Sequence, residues 1–120
     1  MSLLANCHCG KVSIVLSRRP RQLTECNCSI CRRYGALWAY GTPKTMTVQA
    51  DESALACYMW GDRCIEFYHC SNCGCLTHYE SIDKGADSRI AVNARMLPVD
   101  ELEGIRIRHF DGANSWQFLD

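Results

Sequence analysis

Polar and apolar positions alternate in short runs along this chain, and helical spacing is almost absent. Residues 3–6 read as a strand leading into Cys7-His8-Cys9-Gly10. In residues 11–16, Val12 and Ile14 fall on one face and Ser13 and Val15 on the other, a second strand. Residues 23–26 predict a brief strand that delivers Cys26. One helical turn is expected over 29–34, with Ser29 as N-cap and Gly35 as the stop. Residues 36–41 are apolar and aromatic, a buried strand, and 46–49 form another short one. Residues 54–60 and 63–69 flank Gly61-Asp62, a hairpin signal. Strands follow at 76–81 and 88–94, then a helical turn at 98–102. A half-buried strand is expected at 104–110, where Ile105 and Ile107 alternate with Arg106 and Arg108. Beyond it, Trp116 and Phe118 are expected to pack back. Many short strands point to an all-β fold, as a sandwich or folded sheet.

The chain has 120 residues without repeat, linker or low-complexity tract, so a single domain over 1–120 is expected. Thirteen basic and thirteen acidic side chains cancel, which argues against a nucleic-acid or membrane surface. The stretch Arg18-Arg19-Pro20-Arg21 reads as a solvated turn. No apolar run approaches the ~20 residues of a spanning helix, and residues 1–6 are too short and uncharged for a signal peptide. A cytoplasmic protein is the resulting expectation.

Cysteine changes the picture, since ten of the 120 residues are cysteine. With no export signal in the sequence, a reducing compartment keeps these thiols free. Their spacing also suits a metal better than disulfides. The central run is Cys26-Asn27-Cys28-Ser29-Ile30-Cys31, three thiols in six positions. Zn²⁺ suits such a cluster, taking four protein ligands when structural and keeping one position open when catalytic. Cys7 with Cys9 and Cys70 with Cys73 form two remote pairs, the latter closed by Gly74 in a tight turn. The economical partition puts Cys7, Cys9, Cys70 and Cys73 around a structural zinc and leaves Cys26, Cys28 and Cys31 as a separate open site. Spacing leaves other partitions standing: Cys75 fits either site, and Cys7 with Cys9 could complete the central cluster instead. Cys57 and Cys64, one on each arm of the hairpin, read as small buried hydrophobes. His8, His69 and His78 read as surface or hydrogen-bonding core residues rather than ligands.

These motifs together resemble a family. Cys7-His8-Cys9-Gly10-Lys11-Val12, the run 26–31 continued by Arg32-Arg33, and Phe67-Tyr68-His69-Cys70-Ser71-Asn72-Cys73-Gly74 are similar to three signatures of the glutathione-dependent formaldehyde-activating enzyme (GFA, or CENP-V domain) family. Val92-Asn93-Ala94-Arg95 and Phe110-Asp111-Gly112-Ala113 add to the likeness. The resemblance implies an Mss4-like β-tent of folded antiparallel sheets carrying two zinc ions. It assigns Cys7, Cys9, Cys70 and Cys73 to the structural ion and Cys26, Cys28 and Cys31 to a catalytic one. It implies a carbon–sulfur lyase reaction in which glutathione and formaldehyde condense. Two departures stand out: the compact Cys31-Arg32-Arg33-Tyr34-Gly35 and the extra thiol of Cys75. Both point to a subgroup with its own pocket.

The expected function is therefore that of a zinc-dependent enzyme with a small-molecule thiol such as glutathione as partner. An open three-thiolate zinc site would accept and deprotonate the thiol. Arg32 or Arg33 would pair with a carboxylate of that thiol, although a solvated pair is at least as natural. Trp38 and Tyr40 are expected in the core rather than in the pocket. The alternative is a non-catalytic zinc module for protein interaction. A weaker third reading is a thiol-rich redox or metal-buffering protein.

Overall fold

In the computed structural model, residues 2–120 are described. Ten strands form two sheets among them. The smaller sheet joins β1 (Leu3–Asn6), β2 (Ser13–Leu16) and β5 (Met46–Gln49), all antiparallel, in the order β1-β2-β5. The larger contains β3 (Gln22–Cys26), β4 (Trp38–Gly41), β6 (Leu55–Tyr58), β7 (Ile65–Cys70), β8 (Leu76–Ser81), β9 (Ile90–Asn93) and β10 (Arg106–Phe110). Its order is β10-β3-β4-β9-β8-β7-β6. One α-helical turn, α1 (Cys31–Tyr34), lies between β3 and β4. This is the all-β, Mss4-like arrangement.

Period-two alternation explains the layers. Ile14 and Leu16 of β2 meet Leu3 and Ala5 of β1, and this face packs on Leu23, Ala39, Ile90 and Val92 of the large sheet. The opposite face of the large sheet carries Trp38, Phe67, Tyr79 and Ala91, a second apolar layer that also holds Cys31 and Ala36. Trp38 and Ala39 are neighbours in β4 and serve opposite layers. Trp38, Phe67 and Tyr79 pack ring against ring, with centroids 4.8 Å apart for Trp38–Tyr79 and 5.5 Å for Phe67–Tyr79. A third cluster, Cys7, Val12, Ala54 and Cys70, fills the seam where β1 ends against the end of β7.

Several expectations need correction. The N-cap of α1 is Ile30, which makes no side-chain cap; Ser29 does not serve. Gly35 closes it at φ +65° as expected. The hairpin is wider than a Gly-Asp pair: Tyr58 faces Phe67, and residues 59–64 connect the two strands, with Gly61 at φ +63° and Arg63 at φ +60°. Cys57 and Cys64 are exposed, not buried, because β6 is an edge strand and Cys64 lies in that wide loop. Tyr40 is 42% exposed beneath the Arg89 guanidinium, since β4 emerges from the core there. Strand β10 also lies at an edge, parallel to β3, and Ile107 is 40% exposed. Its alternation therefore marks no buried face; Phe118 bridges back to Phe110 instead.

Candidate metal centres

Two cysteine knuckles build the first centre. Cys7-His8-Cys9-Gly10 and Cys70-Ser71-Asn72-Cys73-Gly74 each turn through a glycine with positive φ, +84° and +80°. Gly10 N donates to Cys7 O (3.1 Å), and Gly74 N donates to Cys70 O (2.9 Å). These folds aim backbone donors at sulfur: Val12 N to Cys7 Sγ at 3.3 Å and Cys73 N to Cys70 Sγ at 3.5 Å. The sulfurs of Cys7, Cys9, Cys70 and Cys73 all lie within 4.8 Å of one another. Cys7 and Cys9 are 3.7 Å apart, Cys9 and Cys70 3.5 Å. A tetrahedron with metal–sulfur bonds of about 2.3 Å has edges of about 3.8 Å, so this set could hold an ion. The thiols differ in their hold on protons. Burial pushes the Cys7 thiol up to about 11, while the Cys75 backbone N–H, ahead of other donors, holds Cys73 down to about 5.

The second centre grows from the β3–α1 connection. Cys26 ends β3, Cys28 sits in the turn, and Cys31 opens α1. Their sulfurs also lie within 4.8 Å of one another, and no fourth Cys, His, Asp or Glu joins the group among the described residues. Cys31 N donates to Cys28 Sγ at 3.4 Å. Cys26 is drawn down to about 6, first by the Cys31 thiol, with the N–H groups of Cys28 and Gly112 also contributing. Cys31 is correspondingly pushed up by Cys26 and by burial. Trp38 Nε1 is buried and makes no hydrogen bond of ordinary geometry, yet it lies close enough to Cys31 to favour its thiolate. A buried indole N–H beside Cys31, with backbone N–H groups converging on Cys26 and Cys28, favours negative charge at the cluster. This set of three could also hold a metal ion.

A sequence model of the family described as glutathione-dependent formaldehyde-activating enzyme matches residues 2–105. The chain belongs to that family. The crystal structure of a Rhodobacter sphaeroides protein resembles it with a TM-score of 0.69 at 28% identity, covering 89% of this chain and 99% of that one. A comparison with curated proteins gives no match.

The family signatures thus coincide with two separate sulfur clusters, each of which could hold a metal ion. Cys75, open to either site from spacing, packs in the seam with Cys73 and belongs to neither cluster. His8 is exposed. His78 is fully buried, bonded to Thr77 Oγ1 (2.9 Å) and Glu80 Oε2 (3.0 Å) and stacked on Tyr68. His69 lies apart from both clusters, in the wall of a cavity of about 490 Å³. Arg33 and Tyr34 of α1, Tyr58, Gly74 and Leu76 complete that wall. Arg33 spends one N–H on Ser29 O (2.7 Å), leaving most of its five-donor fork.

Sequence reasoning missed Asn27. Lying between two candidate ligands, it receives Ala113 N on Oδ1 (3.0 Å) and donates Nδ2 to Asp111 Oδ1 (2.9 Å). This clamps the C-terminal loop beside the second centre. Its amide, matching a backbone donor and acceptor, was the available signal. Among the described residues no helix is long and apolar enough to cross a membrane.

Proposed function

We propose that this protein is a zinc-dependent carbon–sulfur lyase that joins a small thiol of the glutathione type to a small aldehyde or related electrophile, and reverses that step. Cys7, Cys9, Cys70 and Cys73 would hold a structural zinc, and Cys26, Cys28 and Cys31 a second, catalytic one. The observation that carries this reading is the difference between the clusters: four sulfurs in one, three in the other, with no fourth protein ligand grouped there. A structural zinc takes four protein ligands; a catalytic one keeps a position for substrate. Bound at the second cluster, zinc supplies a centre that lowers the pKa of an incoming thiol so that it is a thiolate at neutral pH.

The chain's own residues do the rest. Cys26, Cys28 and Cys31 would hold the ion at the surface of the second apolar layer, where Trp38 Nε1 and backbone N–H groups would offset their charge. Arg33 of α1, in the wall of the cavity beside that helix, offers a bidentate partner for a carboxylate at the far end of the thiol. In the substrate, the sulfur lone pair attacks the aldehyde carbon and the C–S bond forms. The carbonyl π pair moves to oxygen, which takes up the proton given up by the thiol. In reverse, the C–S bond breaks and the thiol recovers the proton.

Replacing Cys28 by serine tests the assignment. Metal content is expected to fall from two equivalents to one, with loss of at least about 100-fold in adduct formation between glutathione and formaldehyde. Variant protein that keeps two zinc ions and full turnover would sink the reading. Two zinc ions in the wild type without any thiol affinity would favour a non-catalytic interaction module.

A further inference from the structure

The C-terminal loop, residues 111–116, lies outside the part of the chain that the family model matches, yet it sits directly on the second cluster. At Gly112 an added Cβ would come 2.8 Å from Cys26 Sγ, 3.2 Å from Cys28 Cβ and 3.6 Å from Cζ3 of Trp116. The same point in space thus touches the sulfur cluster on one side and the edge of an indole on the other. The loop is tightly held. Besides the two bonds from the Asn27 amide, Asp111 Oδ2 accepts from Ser115 N (3.1 Å) and Ser115 Oγ (2.9 Å). Trp116 N donates to Asp111 O (2.8 Å), and Asp111 N donates to Gln117 O (2.8 Å).

Trp116 is placed at a cost. Its backbone adopts φ +59°, where a bulky side chain is an outlier, and its side chain is left 70% exposed. Strain of this kind persists only where surrounding contacts over-determine it. The indole gains little from burial to offset that cost. One edge rests on Phe110, with centroids 5.2 Å apart. The remainder is free next to the three-sulfur cluster.

We infer that Trp116 is a specificity-determining residue: its indole is the apolar wall against which the organic group of a thiol lies when the sulfur reaches the Cys26, Cys28 and Cys31 cluster. This rests on the thiol-binding reading above. The wall favours thiols with a flat or apolar substituent close to sulfur over small polar ones.

The test compares benzyl mercaptan with 2-mercaptoethanol, titrated calorimetrically into wild-type protein carrying both metal equivalents and into Trp116→Gly and Trp116→Phe. Glycine adopts φ +59° without strain, so Trp116→Gly removes the ring and leaves the loop in place. Wild type is expected to prefer benzyl mercaptan, with that preference falling about three- to tenfold in Trp116→Gly. Metal content and affinity for 2-mercaptoethanol should be unchanged, and Trp116→Phe should recover part of the preference. An unaltered ratio in Trp116→Gly, or an equal loss for both thiols, overturns the assignment while leaving the thiol-binding reading intact. Failure of wild type to bind either thiol overturns both.

Discussion

At the scale of single residues, the two sulfur clusters were legible because cysteine spacing states ligand geometry directly. Cys7, Cys9, Cys70 and Cys73 are far apart in sequence, but a C-x-C and a C-x-x-C each followed by glycine can fold only a few ways around one point. What spacing left open for Cys75 is decided by packing: its place in the seam beside Cys73 keeps it out of the second cluster. Exposure of Cys57 was not legible, because nothing local says that β6 is an edge strand. Nor was the role of Gly112, which depends on a contact across 86 positions with Cys26. That contact gives a sharp prediction. Gly112→Ala places a methyl 2.8 Å from Cys26 Sγ, closer than real Cβ contacts allow. Zinc affinity at the second centre is expected to drop about 10- to 100-fold, as for other outer-shell changes, while the first ion stays bound. Competition with a chromogenic chelator resolves the two; equal affinities in variant and wild type would refute the contact.

At the scale of elements, strand positions followed from short alternating or apolar runs, and β5 and β8 have the bounds expected of them. Termini and turns were harder. The six-residue β6–β7 connection and the uncapped start of α1 depend on tertiary contacts that override local turn chemistry. Polar groups within strands also took their meaning from neighbours. In β8, His78 holds the Glu80 carboxyl below its ordinary 4.5, chiefly through the hydrogen bond between them. Lys84 adds to this, with its Nζ 3.3 Å from Glu80 and 2.6 Å from Glu66. A carboxyl whose pKa is lowered on folding contributes stability that is present above its ordinary pKa and lost as pH falls through the folded value. Urea unfolding at pH 7 and at about pH 3, below the ordinary carboxyl range, should therefore show a larger acid loss in wild type than in Glu80→Gln. Acid release of metal affects both proteins alike and drops out of the difference. Equal acid losses would contradict the role given to His78 and Lys84.

At the scale of the whole molecule, the two centres divide the work by position. The four-sulfur cluster lies in the seam where the small sheet meets the end of β7, so its cysteines come from the ends of strands in both sheets. The three-sulfur cluster lies on the other face of the large sheet, backed by Trp38, Phe67 and Tyr79 and flanked by the C-terminal loop. One groups four sulfurs of its own chain; the other groups three, with no fourth Cys, His, Asp or Glu beside them among the described residues. That difference is the central claim, and calorimetric titration of glutathione into protein carrying two zinc equivalents tests it most directly. The account predicts saturable binding of one glutathione per chain, abolished by Cys28→Ser. Two bound zinc ions with no measurable glutathione binding would contradict it.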